Sequence, residues 1–459
     1  MSKKGRTKKG KKQQVPKLES LKQLNLNAAG LDIGSAEIWV CVPEERDEET
    51  VRCFETFTVD LHKLADWLEE CGVKTVAMES TGVYWIPIYE ILEARGFEVY
   101  LVNARHIKNV PGKKTDVLDC QWLQQLHTYG LLRASFRPDE DMCELRAYLR
   151  HRDNLIRYRS SHIQHMQKAL HQMNIQLSNV ISDITGQTGM EIIRAIVSGE
   201  RDPVNLAHYR DPRCRSSEAT IAKSLAGNYK PEHLYTLQQA LESYDFYTQQ
   251  CKECDVEIER KYSAFKVQVD VEQHPLTKPK KKVRKQGTHP DFDLRTYLYQ
   301  LSGVDLTLID GIDAVLAQTI ISEIGLDMSK WPTVKHFTSW LCLCPHNDIT
   351  GGRVIKSKTR KSKNRASAAF RLAARSAGRS DSAMGGFFRR MRAKNGGAKA
   401  VTATAHKIAR IVYHLLKYQE EYVDPGQNYY EQQYRERKLK NLERQAKSLG
   451  MKLVLEEAA

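Results

Sequence analysis

Four carboxylates in the first third of the chain are placed where charge is expensive. Asp32 interrupts the apolar run GLDIGSAEIWVCV, and Glu79 ends the run KTVAME. A lone charge in an apolar strand is costly, so each calls for a partner. Asp116 and Asp119 stand three residues apart just after Thr115. Thr is a good helix N-cap, and a spacing of three puts both acids on one helical face. Clustered like charges are unfavourable unless a cation joins them. Mg²⁺ prefers carboxylate oxygens and keeps waters that phosphate can replace. In a chain whose surplus charge is basic, such a cluster points to metal-assisted phosphodiester chemistry, with Mg²⁺ or Mn²⁺ as cofactor. Read one at a time, each is an ordinary surface acid.

The elements that must position them form an α/β pattern. GLDIGSAEIWVCVPE reads as one strand and VRCFETFTV as a second. LHKLADWLEECG reads as a helix ending at Gly72, a helix-stop signal. KTVAMES is a buried strand, VYWIPIYEILEARG a helix, FEVYLVN a strand, and TDVLDCQWLQQLHTYG a helix. This β-β-α-β-α-β-α order predicts an α/β domain over residues 28–138. Residues 139–265 carry long polar–apolar helical patterns, which suit a coiled coil or a helical hairpin. Residues 266–293 read as a basic linker and 294–420 as a second, mainly helical unit. Within that unit LIDGIDAVLAQTIISEIG reads as helix, turn, helix. Residues 1–27 are low-complexity, with disorder expected, and 421–459 form a charged tail that is helical in part.

The chain has 71 Lys and Arg against 56 Asp and Glu, a net charge of +15. Residues 1–18 hold eight basic residues and no acid; Lys278 to Lys285 holds six in eight; Arg353 to Arg379 holds ten and again no acid. Nucleic acid is the leading partner, because Lys and Arg release counterions from a phosphate backbone. The third cluster lies in an Ala-, Leu- and Phe-rich segment that should be folded. Arg146, Arg150 and Arg157 form a stripe at helical spacing that suits either nucleic acid or solvent. No run reaches the roughly 18 to 20 apolar residues of a membrane span, and the basic N-terminus is not followed by an apolar signal segment. Ten scattered Cys suggest a reduced, cytoplasmic protein. Cys251 and Cys254 form one Cys-x-x-Cys, but a structural zinc site needs four ligands, and two cysteines on a helix is the simpler reading.

The words GLDIG, AMESTGVYW and NARHIKNVPGKKTDVLDCQWL together resemble the N-terminal domain of the DEDD transposases of the insertion sequence 110 family, including its 1111 group. Further on, IDGIDAVLAQTIISEIG, CLCPHNDITGG, RKSKNRASAAFRLAARS and GGFFRRMRAKNGGAKAVTATAHKIARIVYHLLK resemble the family's C-terminal domain. The resemblance covers roughly residues 28–420. It implies a RuvC-like domain of RNase H fold, with Asp32, Glu79, Asp116 and Asp119 as catalytic metal ligands. It also implies a bacterial DNA recombinase guided by a noncoding bridge RNA that pairs with donor and target double-stranded DNA. A homodimer assembling to a tetramer, with a composite site across the dimer, is implied as well. Three departures stand out. Cys342 stands where the family usually has Gly, Asp310 and Asp313 replace the Pro and second Gly of a helix-hairpin-helix-like turn, and Thr350 stands where a nucleophilic Ser is expected.

Ser and Thr both supply the hydroxyl that a covalent phosphodiester intermediate requires, but Thr adds a methyl and restricts χ1. Thr350 as a working nucleophile, Thr350 as an inactivating replacement, and Ser357 serving in its stead all stay open. The second leaves a nucleic-acid-binding relative without this chemistry, and a metal-dependent junction resolvase that uses water is a further alternative. Gly351 and Gly352 would let the backbone approach a phosphate. Arg353, Lys356, Arg360, Asn364 and Arg365 would clamp it, and Lys113 and Lys114 join the nucleic-acid set ahead of Asp116. The basic arm over residues 1–18 gives a prediction. Its removal should weaken nucleic-acid binding and flatten the salt dependence, by at most about 0.9 log–log units per lost phosphate contact, while chemistry at low salt survives. Loss of all cleavage at low salt would contradict this division of labour.

Overall fold

The computed structural model describes residues 22–80, 82–103, 115–278 and 287–454. The basic arm, Lys113, Lys114 and all of the 278–285 cluster beyond Lys278 lie outside them. The chain divides into two compact units, Met1–Arg137 and Pro138–Ala459.

The first unit is a mixed α/β domain. Strands Ala28–Ile33 (β1), Glu37–Cys41 (β2), Val51–Glu55 (β3), Thr75–Glu79 (β4) and Glu98–Val102 (β5) form one sheet in the order β3-β2-β1-β4-β5. β1 pairs antiparallel with β2 and parallel with β4, and β4 pairs parallel with β5. This arrangement is consistent with the RNase H-like fold that the resemblance implies. One strand expected over GLDIGSAEIWVCVPE is in fact two. The chain reverses at residues 34–36, where the Gly34 N–H donates to the Glu37 carbonyl at 2.9 Å.

Alternation divides the sheet's side chains between two layers. Ala29, Leu31, Ile33, Ile38, Val40, Val76 and Met78 pack with helices Thr58–Glu70 (α1) and Trp85–Ala94 (α2). The opposite face, with Ala77 and Val102, packs against Leu123 and Leu126 of helix Asp116–Thr128 (α3). Gly30 is the point of closest approach. A Cβ there would lie 2.3 Å from the Gln124 amide nitrogen and 2.4 Å from the Cys120 carbonyl oxygen. Helix backbone therefore rests directly on strand backbone. Under the same helix, His127 is buried beside the Thr75 hydroxyl at 2.8 Å, and burial lowers its pKa to about 4.

The second unit is mostly helical. Helices Glu140–Gln172 (α4) and Pro231–Ala264 (α9) lie antiparallel, with Lys261 bound to Asp141 and Glu144, Arg152 to Asp255, and Tyr158 against Tyr247. Of the two expected forms, a helical hairpin is what the chain builds. Four short helices, Leu177–Val180, Gln187–Ser198, Pro203–Ala207 and Glu218–Leu225 (α5–α8), close its far end over a core of Leu170, Ile193, Ile196 and Leu237. Cys251 and Cys254 are buried on α9, where burial pushes the Cys254 thiol up to about 11. Both therefore lie on one helix, and among the described residues no group of three or more His, Cys, Asp or Glu is set to hold a metal. No described helix is long and apolar enough to cross a membrane.

Helices Leu294–Ser302 (α10), Ala314–Ile324 (α11), Val334–Trp340 (α12), Arg365–Ala377 (α13), Ala383–Asn395 (α14) and Gly397–Tyr418 (α15) follow, then Gly426–Ser448 (α16). The first limb expected in LIDGIDAVLAQTIISEIG is only a 3₁₀ turn at Leu306–Leu308. Gly311, at φ +97°, then brings that turn onto the α13 backbone, where a Cβ would lie 2.3 Å from the Ala373 oxygen.

The Gly30 contact is testable. Gly30→Ala should force α3 off β1, destabilising the protein by about 1–3 kcal/mol in urea unfolding, and should weaken Mn²⁺ binding in a titration followed by electron paramagnetic resonance. Unchanged stability and unchanged Mn²⁺ affinity would show that this close approach positions nothing.

Candidate functional site

Register brings the first two carboxylates together. β1 and β4 pair as Ala28↔Thr75 through Leu31↔Met78. Asp32 and Glu79 are the next pair in that register, at the C-terminal ends of parallel neighbours. Asp32 also lies opposite Trp39, Trp39 opposite Cys53, and Glu79 opposite Val102. One row therefore crosses all five strands as Cys53, Trp39, Asp32, Glu79, Val102. Gly30 and Ala77 face α3, so Asp32 and Glu79, two residues on, share that face.

The other two carboxylates come from α3 itself. Thr115 caps the helix, its hydroxyl accepting from the Leu118 N–H at 3.3 Å, as expected from the sequence. Asp116 and Asp119 occupy the first turn, where the positive end of the helix dipole favours carboxylates. Asp116 is exposed, while Asp32, Glu79 and Asp119 are half-buried. Burial, then the charges of Cys41 and Asp32, push the Cys120 thiol up, which places Asp32 beside the residue following Asp119. Asp116 likewise acts on Cys53, at the end of the same row.

All four acids thus belong to one edge of one face. They offer hard oxygen donors, which suits Mg²⁺ or Mn²⁺ in ligand chemistry, but no three of them stand close enough together in this structure to form a metal-holding group. The buried indole Nε1–H of Trp39, in the same row, has no hydrogen-bond partner. As an N–H donor it cannot ligate a metal.

Thr350 lies in the second unit. It ends the first strand of a hairpin, Pro345–Thr350 (β6) with Arg353–Thr359 (β7), with a bulge between Asp348 and Ile349. Gly351 and Gly352 form its two-residue turn with φ of +54° and +76°, which favours Gly at both places. Thr350 pairs with Arg353 immediately before that turn. Nearly every residue of both strands is exposed, including Ile349, Val354 and Ile355. A two-stranded hairpin is marginal by itself in water. The Gly-Gly step was the sequence signal for this hairpin.

The remaining basic residues divide by task. Lys356 lies 3.7 Å from Asp348 across the hairpin. Arg360 donates to the Ser339 carbonyl, Asn364 caps α13 by accepting from Ser367 N–H, and Arg365 pairs with Asp153 at 3.0 Å. Arg146 and Arg150 both engage Glu323 of α11, at 3.3 and 3.0 Å. Arg146 is mostly buried, Arg150 is half exposed, and Arg157 is exposed on Asn154. Sequence reasoning missed Glu323, whose partners lie more than 170 residues away in the chain. Asp313 caps α11, accepting from the Leu316 N–H at 2.8 Å, which gives that replacement a structural role. Cys342, where the family usually has Gly, holds φ at +53°. Such a conformation costs a residue with a Cβ roughly 1–2 kcal/mol.

Glu323 yields a prediction. Glu323→Ala leaves Arg146 buried without its counter-charge and should cost about 3–5 kcal/mol in chemical unfolding. Arg150→Ala should cost less than half of that, because Arg150 reaches solvent. Equal small losses for both would mean that Glu323 does not organise this helix pair.

A family signature described as Transposase matches residues 29–175, and one described as Transposase IS116/IS110/IS902 family matches residues 305–389. No curated protein matches the chain. The first match spans the whole carboxylate row and α3, and the second spans the hairpin and α13. Together they cover a little over half of the sequence. The chain belongs to the IS110 family of transposases and is a DNA transposase or recombinase.

Proposed function

We propose that the protein cuts and rejoins DNA strands through a covalent threonine–phosphate intermediate, with Mg²⁺ or Mn²⁺ held by Asp32, Glu79, Asp116 and Asp119. The observation that carries this reading is the shared face of those four acids, set by the β1–β4 register and the α3 N-terminus. Guidance by a noncoding RNA, and assembly of two dimers to exchange four strands, rest on the family resemblance. The long basic segments support an extended nucleic-acid partner.

In this reading the Thr350 Oγ1 attacks the phosphorus of a DNA phosphodiester. The bond from phosphorus to the 3′ oxygen breaks, the hydroxyl proton passes to solvent, and the departing 3′ oxygen takes a proton up. A 5′-phosphothreonine link holds the cut end. A 3′-hydroxyl from another strand then attacks that phosphorus and releases Thr350, so rejoining needs no added energy source. Arg353, beside Thr350 in register, neutralises a non-bridging oxygen. The two turn glycines let backbone N–H groups approach the phosphate without a Cβ in the way. A divalent cation, when bound, supplies Lewis-acid stabilisation of charge on the phosphoryl group and the leaving oxygen.

The test is a denaturation-resistant protein–DNA adduct formed with Mg²⁺, the element's RNA and DNA bearing its end. Thr350→Ala should lower adduct formation by at least about 10³-fold, Thr350→Ser should keep or raise it, and Ser357→Ala should leave it intact. Cleavage without any adduct would replace this reading with hydrolysis by water. Binding with no cleavage under any condition would reduce the protein to a nucleic-acid-binding relative.

A further inference from the structure

Largely beyond the second family match, which ends within α14, helices α14, α15 and α16 line an open cavity of about 590 Å³. Its third wall is held in place by contacts from α14. The Asp424 carboxylate accepts from the Ala383 N–H at 3.2 Å, Arg389 donates to Gln427 at 2.5 Å, and the Arg390 guanidinium covers the Tyr434 ring at 3.6 Å. None of the described α16 side chains is buried, so the helix leaves the space between itself and α15 open.

The lining is unlike that of an apolar gap. Rings come from His414 of α15 and from Tyr429 and Tyr434 of α16, and cations from Lys407 and Arg437. The Lys407 ammonium, 4.7 Å from the Phe387 ring, is held below the usual lysine range by burial first, then by the charges of Arg437 and Arg410. Lys407 is thus half-buried among like charges, of which Arg437 also lines the cavity, and an anion there would relieve both the burial and the repulsion. Glu420 and Glu421 also line the cavity. They would repel a phosphate but accept hydrogen bonds from base amino groups or ribose hydroxyls. The volume falls in the range of small-ligand sites, large enough for one nucleotide and too small for a duplex.

We propose that this cavity takes one unpaired nucleotide of a single-stranded nucleic acid, its base stacked on Tyr429 and Tyr434 and its phosphate at Lys407 and Arg437. The inference rests on the reading of the protein as a nucleic-acid enzyme, and it assigns a role to a segment outside both family matches. Stacking on aromatic side chains tolerates any base, so the site would grip a strand without reading its sequence.

The test uses the full-length protein and unstructured oligonucleotides carrying a single 5-iodouridine or 5-iododeoxyuridine, with photocrosslinked peptides mapped by mass spectrometry. A crosslink at Tyr429 or Tyr434 is expected, and the RNA and DNA probes show which strand supplies the nucleotide. Tyr429→Ala, at a half-exposed position that threatens no packing, should lower single-strand affinity by about 5- to 100-fold with blunt-duplex affinity unchanged. Arg437→Ala should do likewise and flatten the salt dependence. Crosslinks confined to other segments, with unaltered single-strand affinity in both variants, would overturn the inference and leave the strand-transfer reading standing. A wild-type protein that binds neither single strands nor duplex would overturn both.

Discussion

Everything proposed for the first unit depends on backbone-to-backbone contact at Gly30. Two carboxylates belong to strand ends and two to a helix start, and no local rule brings such elements together. The absent side chain at Gly30 lets α3 lie directly on β1, and the β1–β4 register does the rest. Repulsion among four acids works against that arrangement. The helix dipole favours the two acids on α3, and a divalent cation would favour all four. The packing core on the opposite face of the sheet holds the strands in register against that repulsion.

The second unit solves a different problem. Its hairpin carries a hydroxyl at the turn and has almost no packing of its own, so position must come from the helices at its base. Elsewhere in the unit, ion pairs tie α4 to its neighbours, with Arg152 on Asp255 of α9 and with Arg146 and Arg150 sharing Glu323 of α11. Such pairs add little net stability but penalise wrong registers strongly, since any slip strands a buried charge. An unsupported, basic hairpin on a rigid helical base suits a part that must meet a substrate from outside.

Much of this was legible in the sequence, for physical reasons. Asp32 and Glu79 stood out because charge inside an apolar strand is costly, and Thr115 because a hydroxyl ahead of a helical run is a cap. The strands and long helices followed from their periods. What was not legible depends on contacts between distant segments. Gly30 reads as a common strand glycine until α3 is seen resting on it. The basic stripe at Arg146 and Arg150 reads as a face toward solvent or phosphate until Glu323 closes on it from far along the chain. The hairpin is a different case. Gly351-Gly352 is a turn signal in its own right, but the polar run from His346 to Asp348 ahead of it carries no strand period.

The central claim is that strand exchange passes through a covalent bond between phosphorus and Thr350. The configuration at phosphorus records the number of displacements directly. With a single chiral phosphorothioate at the scissile position, two in-line steps predict a rejoined product with the starting configuration retained. An inverted product would mean that the incoming strand attacks DNA in one step, and the threonine intermediate would be excluded.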